Sequence, residues 1–255
     1  MTVRFFLEND AFIKKFITKK NNPDAFHHIK DVLRMKENSF LELVFQKQIY
    51  LVKIKKISKQ KIDFLPIKKM FFHNEIPKKV SLVVPFLKNR HLDFLVQKAT
   101  ELGVSEIILS SFQRSVVKIN SYKHLKNKEI RLKKIIKGAA EQSHRDYVPS
   151  LTYEPDFVRK VNVCDHQQIG LVAWEESAKN GEKANLFKAL NTFCKDANKK
   201  ELIAIFGPEG GLTKSEVYKL KKRGFLNVGL GPRILRSETA PLYLLSCVSF
   251  LIELG

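Results

Sequence analysis

Two glycine-rich, charged loops in the last quarter of the chain carry residue types that bind and activate a ligand. The first, Gly207 to Gly211, follows the apolar run LIAIF and contains Glu209. The second, Pro232 to Ala240, follows FLNVGLG and contains Arg236 and Glu238. Glycines take positive φ angles and let a ligand approach bare backbone, while the carboxylate and guanidinium groups supply fixed charges. The pattern predicts a binding site and not a hairpin turn.

The spacing of these residues excludes two common phosphate-binding sites. Neither loop has the G-x-G-x-x-G pattern of dinucleotide sites or the G-x-x-x-x-G-K-[ST] pattern of a P-loop. Glu209 would also place a carboxylate where a phosphate should lie. A cationic or neutral ligand fits better, with Glu209 and Glu238 as acids and Arg233 and Arg236 as cations. The alternative for the paired glycines is a loop shape that only precedes the next helix.

Helix signals after each loop predict two strand-loop-helix units. Thr213 and Glu216 have the spacing of a capping box, and Glu238 precedes the apolar run PLYLLSCVSFLIEL. The run SLVVPF, a helical pattern from Arg90 to Leu102 that ends at Gly103, and the run VSEIILS form a further βαβ unit. Ligands of open α/β sheets bind beyond the carboxyl ends of the strands, so both loops should border one site.

Three further segments are expected at the same edge of the sheet. Lys88 and Arg90 lie where SLVVPF gives way to its helix, the favoured place for ligand-facing residues. The strand QIGLVAW ends beside the two loops, so Val172 to Glu175 is expected to form a wall of the site, although Trp174 fits a core anchor equally well. Arg114 is the lone charge in SSFQRSVV, a predicted loop-to-strand segment, and is assigned to face RNA.

The composition indicates a partner that is a polyanion. The net charge is +20, which favours nucleic acid or an acidic membrane surface, although 36 Lys against 10 Arg also fits a Lys-rich composition. The start MTVRFFLEND is not a secretory signal, and no apolar run reaches the roughly 20 residues that span a bilayer. The widely spaced Cys164, Cys194 and Cys247 indicate neither disulfides nor zinc. We expect a soluble protein of the cytoplasm.

Residues 1–72 are predicted to form a separate, strongly basic domain. The runs VRFFL, FLELVF, IYLVKIKKI and KIDFLPI predict a small β-barrel with one candidate helix between Asp24 and Met35. The segment holds 16 Lys and Arg against 7 Asp and Glu, about twice the net charge per residue of the remainder. Its positive charge favours contact with a polyanion such as the phosphate backbone of a nucleic acid.

Four residues of this domain are singled out as RNA contacts: Arg4, His28, Lys30 and Arg34. With Asp24 as N-cap, Lys30 and Arg34 lie four positions apart on one helical face and can follow a phosphate backbone. His28 is either an RNA contact or a core or capping residue.

The motifs described above resemble those of a known family. GPEGGLTKSEV followed by LGPRILRSETAPLYLLS resembles the RsmE family of 16S ribosomal RNA uridine-N3 methyltransferases, which belong to the SPOUT class. The resemblance extends through KNRHLDFLVQKATELGV, QRSVV, AAEQSHRDYVP and FHHIKDVLRM. It implies an α/β fold with a SPOUT-type parallel sheet in residues 73–255, a C-terminal trefoil knot near residues 202–245, and a PUA-like RNA-binding domain in residues 1–72.

The resemblance also implies a cofactor, S-adenosyl-L-methionine (SAM), held by main-chain groups in the knot. The implied cofactor residues are Val172, Phe206, Gly207, Gly211, Leu230, Gly231 and Leu235. Gln142, His144 and Arg145 are implied substrate contacts, whereas on composition alone they form the polar end of a basic helix predicted from Tyr122 to Gln142. The family requires no metal and forms homodimers.

Methylation of uridine N3 requires removal of an imide proton and attack on a methyl group bound to sulfonium. Fixed cations near the carbonyl oxygens would stabilise the imidate anion, a role assigned first to Arg236 and second to Arg114. Glu238, or else Glu209, is assigned as the base. The expected substrate is 16S rRNA in the small ribosomal subunit. The alternatives are a SPOUT enzyme with another RNA target and a non-catalytic RNA-binding or assembly factor.

Overall fold

The computed structural model describes residues 2–7, 11–71, 74–119, 121–161, 163, 166–179 and 184–255. The chain divides into two compact units. Unit 1 comprises Met1–Glu75 with Lys137–Val148, and unit 2 comprises Ile76–Ile136 with Pro149–Gly255. The predicted domain boundary between residues 72 and 73 lies outside the described residues. Residues 137–148, which the sequence assigned to the second domain, group with the N-terminal residues.

Unit 1 contains a five-stranded sheet formed by β1 Arg4–Phe6, β2 Phe16–Thr18, β3 Phe40–Phe45, β4 Gln48–Ile57 and β5 Lys61–Met70. The strands pair in the order β1-β3-β4-β5-β2, parallel between β1 and β3 and antiparallel elsewhere. One face of the sheet packs on a core that includes Phe26, Leu43, Ile54 and Phe64. The prediction of a separate, β-rich N-terminal domain is confirmed.

The helical segment of unit 1 differs from its prediction. Helix α1 spans Pro23–His27 and continues as a π-helical turn, His28–Val32. The N-cap is Asn22 and not Asp24, because proline occupies the first helical position, where its missing N–H is no loss. Arg34 lies beyond the helical residues with a φ of 49°. The expected α-helical face shared by Lys30 and Arg34 is therefore wrong.

A buried cluster of ion pairs links β1 to residues 137–148 within unit 1. Arg4 is 1% exposed, and its Nε donates a hydrogen bond to Oε2 of Glu42 at 2.9 Å. Its Nη1 donates to the carbonyl oxygens of His144 and Arg145 and to the carboxylate of Asp146. The desolvation of Asp146 and the nearby Glu75 carboxylate raise the pKa of Asp146 despite the Arg4 charge.

Arg145 is also buried in this cluster. It is 2% exposed, and its Nη2 and Nε donate to the carboxylate of Glu75 at 2.6 to 3.1 Å. The RNA-binding roles predicted for Arg4 and Arg145 do not fit this placement, because both guanidinium groups are enclosed by carboxylate and carbonyl oxygens. We assign both arginines to the stability of unit 1.

Unit 2 is built on a six-stranded parallel sheet. Its strands are β6 Lys79–Pro85, β7 Glu106–Ser110, β8 Ser150–Tyr153, β9 Gln168–Ala173, β10 Glu201–Phe206 and β11 Phe225–Val228. They pair in the order β11-β9-β10-β6-β7-β8, and every pair is parallel. The near-continuous burial of β6 and β10 is typical of parallel strands that are covered on both faces. The predicted parallel α/β sheet is confirmed.

The helices that follow these strands are α2 Asn89–Glu101, α3 Tyr122–Gln142, α4 Phe157–Lys160, α5 Glu175–Lys179, α6 Asn185–Lys195, α7 Lys214–Lys222 and α8 Thr239–Glu253. The bounds predicted for α3 are confirmed, and so is the positive φ of Gly103 after α2, at 88°. The segment SSFQRSVV begins at the last residue of β7, Ser110, and continues as a loop over residues 111–117, so its predicted entry into a strand is wrong. In the described part of the chain, no helix has both the length and the hydropathy of a membrane span.

We predict that Arg4→Met destabilises the protein by about 3–5 kcal/mol, because it leaves the buried Glu42 carboxylate without its cation. The matched control is Lys55→Met, an exposed position on β4, which should change the free energy of unfolding by less than about 0.5 kcal/mol. Urea titration followed by circular dichroism measures both. If Arg4→Met kept its stability and bound RNA more weakly, the result would instead support the predicted role of Arg4 as an RNA contact.

Candidate active site

A cavity of about 940 Å³ lies at the carboxyl edge of the sheet in unit 2. Its lining comes from the segments that follow five of the strands, β6, β7, β9, β10 and β11. All these strands run in one direction, so their carboxyl ends and the loops beyond them meet at one edge. The prediction that the two C-terminal loops border one site is confirmed.

The loop after β10 owes its shape to its glycines. Gly207 packs so closely on the returning chain that a Cβ atom there would lie 3.0 Å from the backbone nitrogen of Leu212. Gly211 has a φ of 69°, a conformation that strains other residues. The chain then enters α7 through Thr213, whose capping box with Glu216 is present as predicted.

Glu216 also holds the loop that follows β7. Glu216 is only 5% exposed. Its Oε2 accepts hydrogen bonds from the N–H and the hydroxyl of Thr213, both at 2.8 Å. Its Oε1 accepts from the backbone N–H of Gln113 at 2.8 Å. The next residue, Arg114, reaches the cavity, and its Nη1 donates to the carbonyl of Gly210 at 3.1 Å. One buried carboxylate therefore fixes two loops of the site.

The loop after β11 is tied by hydrogen bonds where it meets α8. Residues 230–235 form no hydrogen bond or ion pair with any residue that the structure describes. The carbonyl of Arg236 accepts from the N–H groups of Thr239 and Ala240 at 2.9 and 3.0 Å, which begins α8. Oε1 of Glu238 lies 2.8 Å from Nδ1 of His91 in the first turn of α2.

Charges of both signs line the cavity. The basic side chains are Lys88, His91, Arg114, Lys214, Arg233 and Arg236, and the acidic ones are Glu175, Glu176, Glu209 and Glu238. Such a lining can hold a ligand that carries both a cation and a carboxylate, and its arginines can stabilise an anion that forms in the cavity. Among the residues described, no three His, Cys, Asp or Glu side chains are grouped as metal ligands.

Most residues predicted for the site meet at this cavity. Those that line it are Lys88, Arg114, Phe206, Gly207, Glu209, Gly211, Leu230, Gly231, Leu235, Arg236 and Glu238. Val172 is fully buried in β9 beneath the lining residues Ala173 to Glu175. Arg90 is exposed on α2 but does not line the cavity.

Four predicted RNA contacts lie in unit 1 and not at the cavity. His28, Arg34 and Gln142 are exposed, and Lys30 is partly buried. The amino group of Lys30 donates to the carbonyl of Ser58 at 3.0 Å. These placements leave His28, Arg34 and Gln142 accessible to a large ligand.

His91 was not predicted as a site residue, although a signal for it exists. It lies three positions after Lys88, the N-cap of α2, so both side chains project from the same side of the first helical turn. Because Lys88 is predicted at the carboxyl edge of β6, helical geometry predicts that the residue three positions on, His91, lies at the same edge. The link from Glu216 to Gln113 had no such signal, because it joins residues 103 positions apart.

Comparison with known proteins gives the family of the chain. Residues 74–249 match the model of an RNA methyltransferase domain, and residues 21–67 match the model of an RNA methyltransferase PUA domain. The first match covers unit 2 up to the last turn of α8, including every residue that lines the cavity.

Two relatives and one solved structure extend the likeness over the whole chain. The ribosomal RNA small subunit methyltransferase E of Bacillus subtilis is 36% identical over 98% of this chain and 97% of its own length. That of Mesomycoplasma hyopneumoniae is 32% identical over 87% of this chain and 89% of its own. The crystal structure of the Neisseria gonorrhoeae enzyme bound to S-adenosyl methionine is similar in fold, with a TM-score of 0.81, 24% identity and 98% coverage of both chains. The chain therefore belongs to the RNA methyltransferase family that includes the ribosomal RNA small subunit methyltransferases E.

Proposed function

We propose that the chain methylates N3 of a specific uridine in the 16S rRNA of the small ribosomal subunit, with SAM as methyl donor. One observation carries the proposal: the loops Gly207–Gly211 and Pro232–Ala240 converge on a single cavity that also holds Arg114, Arg236 and Glu238. Relatives that match the chain along nearly its full length are named for action on small-subunit ribosomal RNA. The N. gonorrhoeae structure was solved with S-adenosyl methionine.

The residues of the cavity fit SAM. Gly207, Gly211 and Gly231 present backbone without side chains, and the positive φ of 94° at Gly231 turns the second loop. We propose that main-chain groups of Phe206 to Gly211 and Leu230 to Leu235 hold the adenosine, above the buried Val172. Carboxylates at the rim provide a negative environment for the cationic part of the molecule. When bound, SAM supplies an electrophilic methyl group on a positively charged sulfur.

Arg236 and Arg114 are proposed to stabilise the uridine anion. Loss of the N3 proton places negative charge on the two neighbouring carbonyl oxygens, and a nearby guanidinium offers several N–H donors for them. Arg114 uses Nη1 for Gly210 and is held in place by that bond. Arg236 is anchored through its carbonyl at the start of α8 while its side chain is exposed at the cavity. The Arg114 side chain is thus held before the substrate arrives, and the backbone that carries Arg236 is fixed at the start of α8.

Glu238 is proposed as the base that takes the N3 proton. Its side chain is 13% exposed, and His91 engages one oxygen, Oε1. The other oxygen has no hydrogen-bond partner among the described residues. Glu209 lines the same cavity on an exposed part of its loop and is the alternative base.

Unit 1 is proposed to bind the RNA around its π-helical turn. His28 is exposed there, and its ring makes an edge contact with Phe5 at 5.6 Å between centroids. Arg34 follows with a positive φ, and π-helical turns and strained backbone both occur often at functional sites. Gln142 is exposed at the end of α3 in the same unit and is proposed as a further contact. Residues 1–72 then serve as the PUA-like domain and residues 73–255 as the catalytic domain.

Three finer features complete the proposal. The chain from 202 to 245 forms a trefoil knot around the cofactor. Two copies form a homodimer through exposed apolar residues of α8 and its C-cap, since Tyr243, Phe250 and the C-cap Leu254 are 40%, 62% and 78% exposed. The enzyme acts in the cytoplasm.

The reaction is tested by incubating the protein with labelled SAM and small ribosomal subunits that lack their native modification. We expect the label in 3-methyluridine after nuclease digestion, at one site that stops reverse transcription. Label in another nucleoside would show that the enzyme methylates a target other than uridine N3. Absence of transfer despite measurable SAM binding would favour an RNA-binding or assembly factor.

Arg236→Ala should lower kcat on the order of 10²–10³-fold, since one oxyanion-stabilising donor contributes that much in other enzymes. Its affinity for SAM, measured by calorimetry, should remain within about threefold. The matched control is Arg159→Ala, an exposed arginine at the end of α4, which should keep the wild-type rate. A normal rate in Arg236→Ala would contradict the role given to this cation.

Gly207→Ala should weaken SAM binding by about tenfold, because the added methyl group displaces the backbone of Leu212, and overpacking costs about 1–3 kcal/mol. The control is Gly138→Ala in α3, where a Cβ meets nothing within 4 Å and alanine favours the helix by about 1 kcal/mol. Equal SAM affinity of the two variants, measured by calorimetry, would place the cofactor elsewhere.

A further inference from the structure

His91 and Glu238 form a contact between two elements that are far apart in sequence. His91 belongs to the first turn of α2, which follows β6, and Glu238 is the N-cap of α8, which follows the loop after β11. Nδ1 of His91 lies 2.8 Å from Oε1 of Glu238. An ionised carboxylate only accepts hydrogen bonds, so Nδ1 carries the hydrogen and donates it. The bond exists whether the imidazole is neutral or charged, and a charged ring adds an ion pair.

Glu238 is not used for the usual task of an N-cap residue. N-cap side chains commonly accept a hydrogen bond from a backbone N–H two or three positions on, but the Glu238 side chain makes no such bond. The N–H groups of Thr239 and Ala240 are instead satisfied by the carbonyl of Arg236. The carboxylate is therefore left for the contact with α2, and the backbone of Arg236 is tied to the same first turn.

The contact matters because the preceding loop has few other restraints. Residues 230–235 make no hydrogen bond or ion pair with the described part of the chain, and Ile234 is 74% exposed. The polar anchors at the end of this loop are the Arg236 carbonyl and the Glu238 carboxylate. Loss of either contact would let the end of the loop move relative to α2 and β6.

We infer that His91 is a positioning residue that fastens the Arg236 loop to α2 through Glu238. The chain of contacts runs from the imidazole to the carboxylate, from there to the first turn of α8, and then to the Arg236 backbone. His91 need not touch the substrate for this role. The inference rests on the proposed function, because it assigns His91 to the cation and the base of the same reaction.

Other charged groups near His91 do not replace this contact. Those that line the same cavity are Lys88 from the start of α2, Arg114 from the loop after β7, Glu175 and Glu176 from α5, Glu209 from the loop after β10, Lys214 from the start of α7, and Arg233 and Arg236 from the loop after β11. The imidazole of His91 makes no hydrogen bond or ion pair with any of these side chains, and its only such partner among the described residues is Glu238.

The test combines loop mobility with kinetics in His91→Leu and His91→Lys. In His91→Leu, the amides of Thr239 and Ala240, which donate to the Arg236 carbonyl, should exchange hydrogen about tenfold faster, because the loss of one hydrogen bond to a charged group loosens the first turn of α8. Methyl transfer to small ribosomal subunits should lose about tenfold in kcat through misplacement of Arg236, with KM for SAM and for RNA changed less than about threefold. His91→Lys keeps a hydrogen-bond donor opposite Glu238 and should restore both values.

The matched control is His124→Leu, an exposed histidine near the start of α3, which should leave exchange and kcat at wild-type values. Unchanged exchange in His91→Leu, or failure of His91→Lys to restore both values, would overturn the inference. Failure of the proposed function would look different. The wild type itself would then make no 3-methyluridine, while the faster hydrogen exchange of His91→Leu would still be observed.

Discussion

The parallel direction of the six strands in unit 2 is the constraint on which the site depends. Parallel strands bring every carboxyl end to one edge, so loops from residues 88 to 240 reach one cavity although they are distant in sequence. The burial of β6 and β10 between covering helices keeps this edge rigid. The loops themselves are then free to carry glycines and charged residues that a sheet interior would not accept.

Carboxylates fix these loops on the sheet. Glu216 joins the loops after β7 and β10, and Glu238 joins the loop after β11 to α2. Glu216 thereby holds the loop of Arg114, and Glu238 ties the first turn of α8, next to the Arg236 backbone, to α2. Electrostatic stabilisation of an anion is effective when its donors are held before the charge develops. The fold supplies that condition from its own hydrogen bonds.

Features that depend on neighbours in sequence were predictable, and those that depend on distant partners were not. The capping box of α7, the bounds of α3 and the convergence of the two C-terminal loops follow from local spacing and the rule for parallel sheets. Arg4 and Arg145 were misassigned because a buried arginine looks like an exposed one until its partners are known. Those of Arg4 lie 38 to 142 positions away, and that of Arg145 lies 70 positions away.

The central claim is that one cavity holds both the cofactor and the reacting base, and the most direct measurement is a crystal structure of the protein with SAM. The account predicts the adenosine against the main chain of residues 206–211 and 230–235, with the methyl group facing the space between Arg236 and Glu238. SAM bound outside this cavity, or with its methyl group turned away from Arg236 and Glu238, would contradict the account.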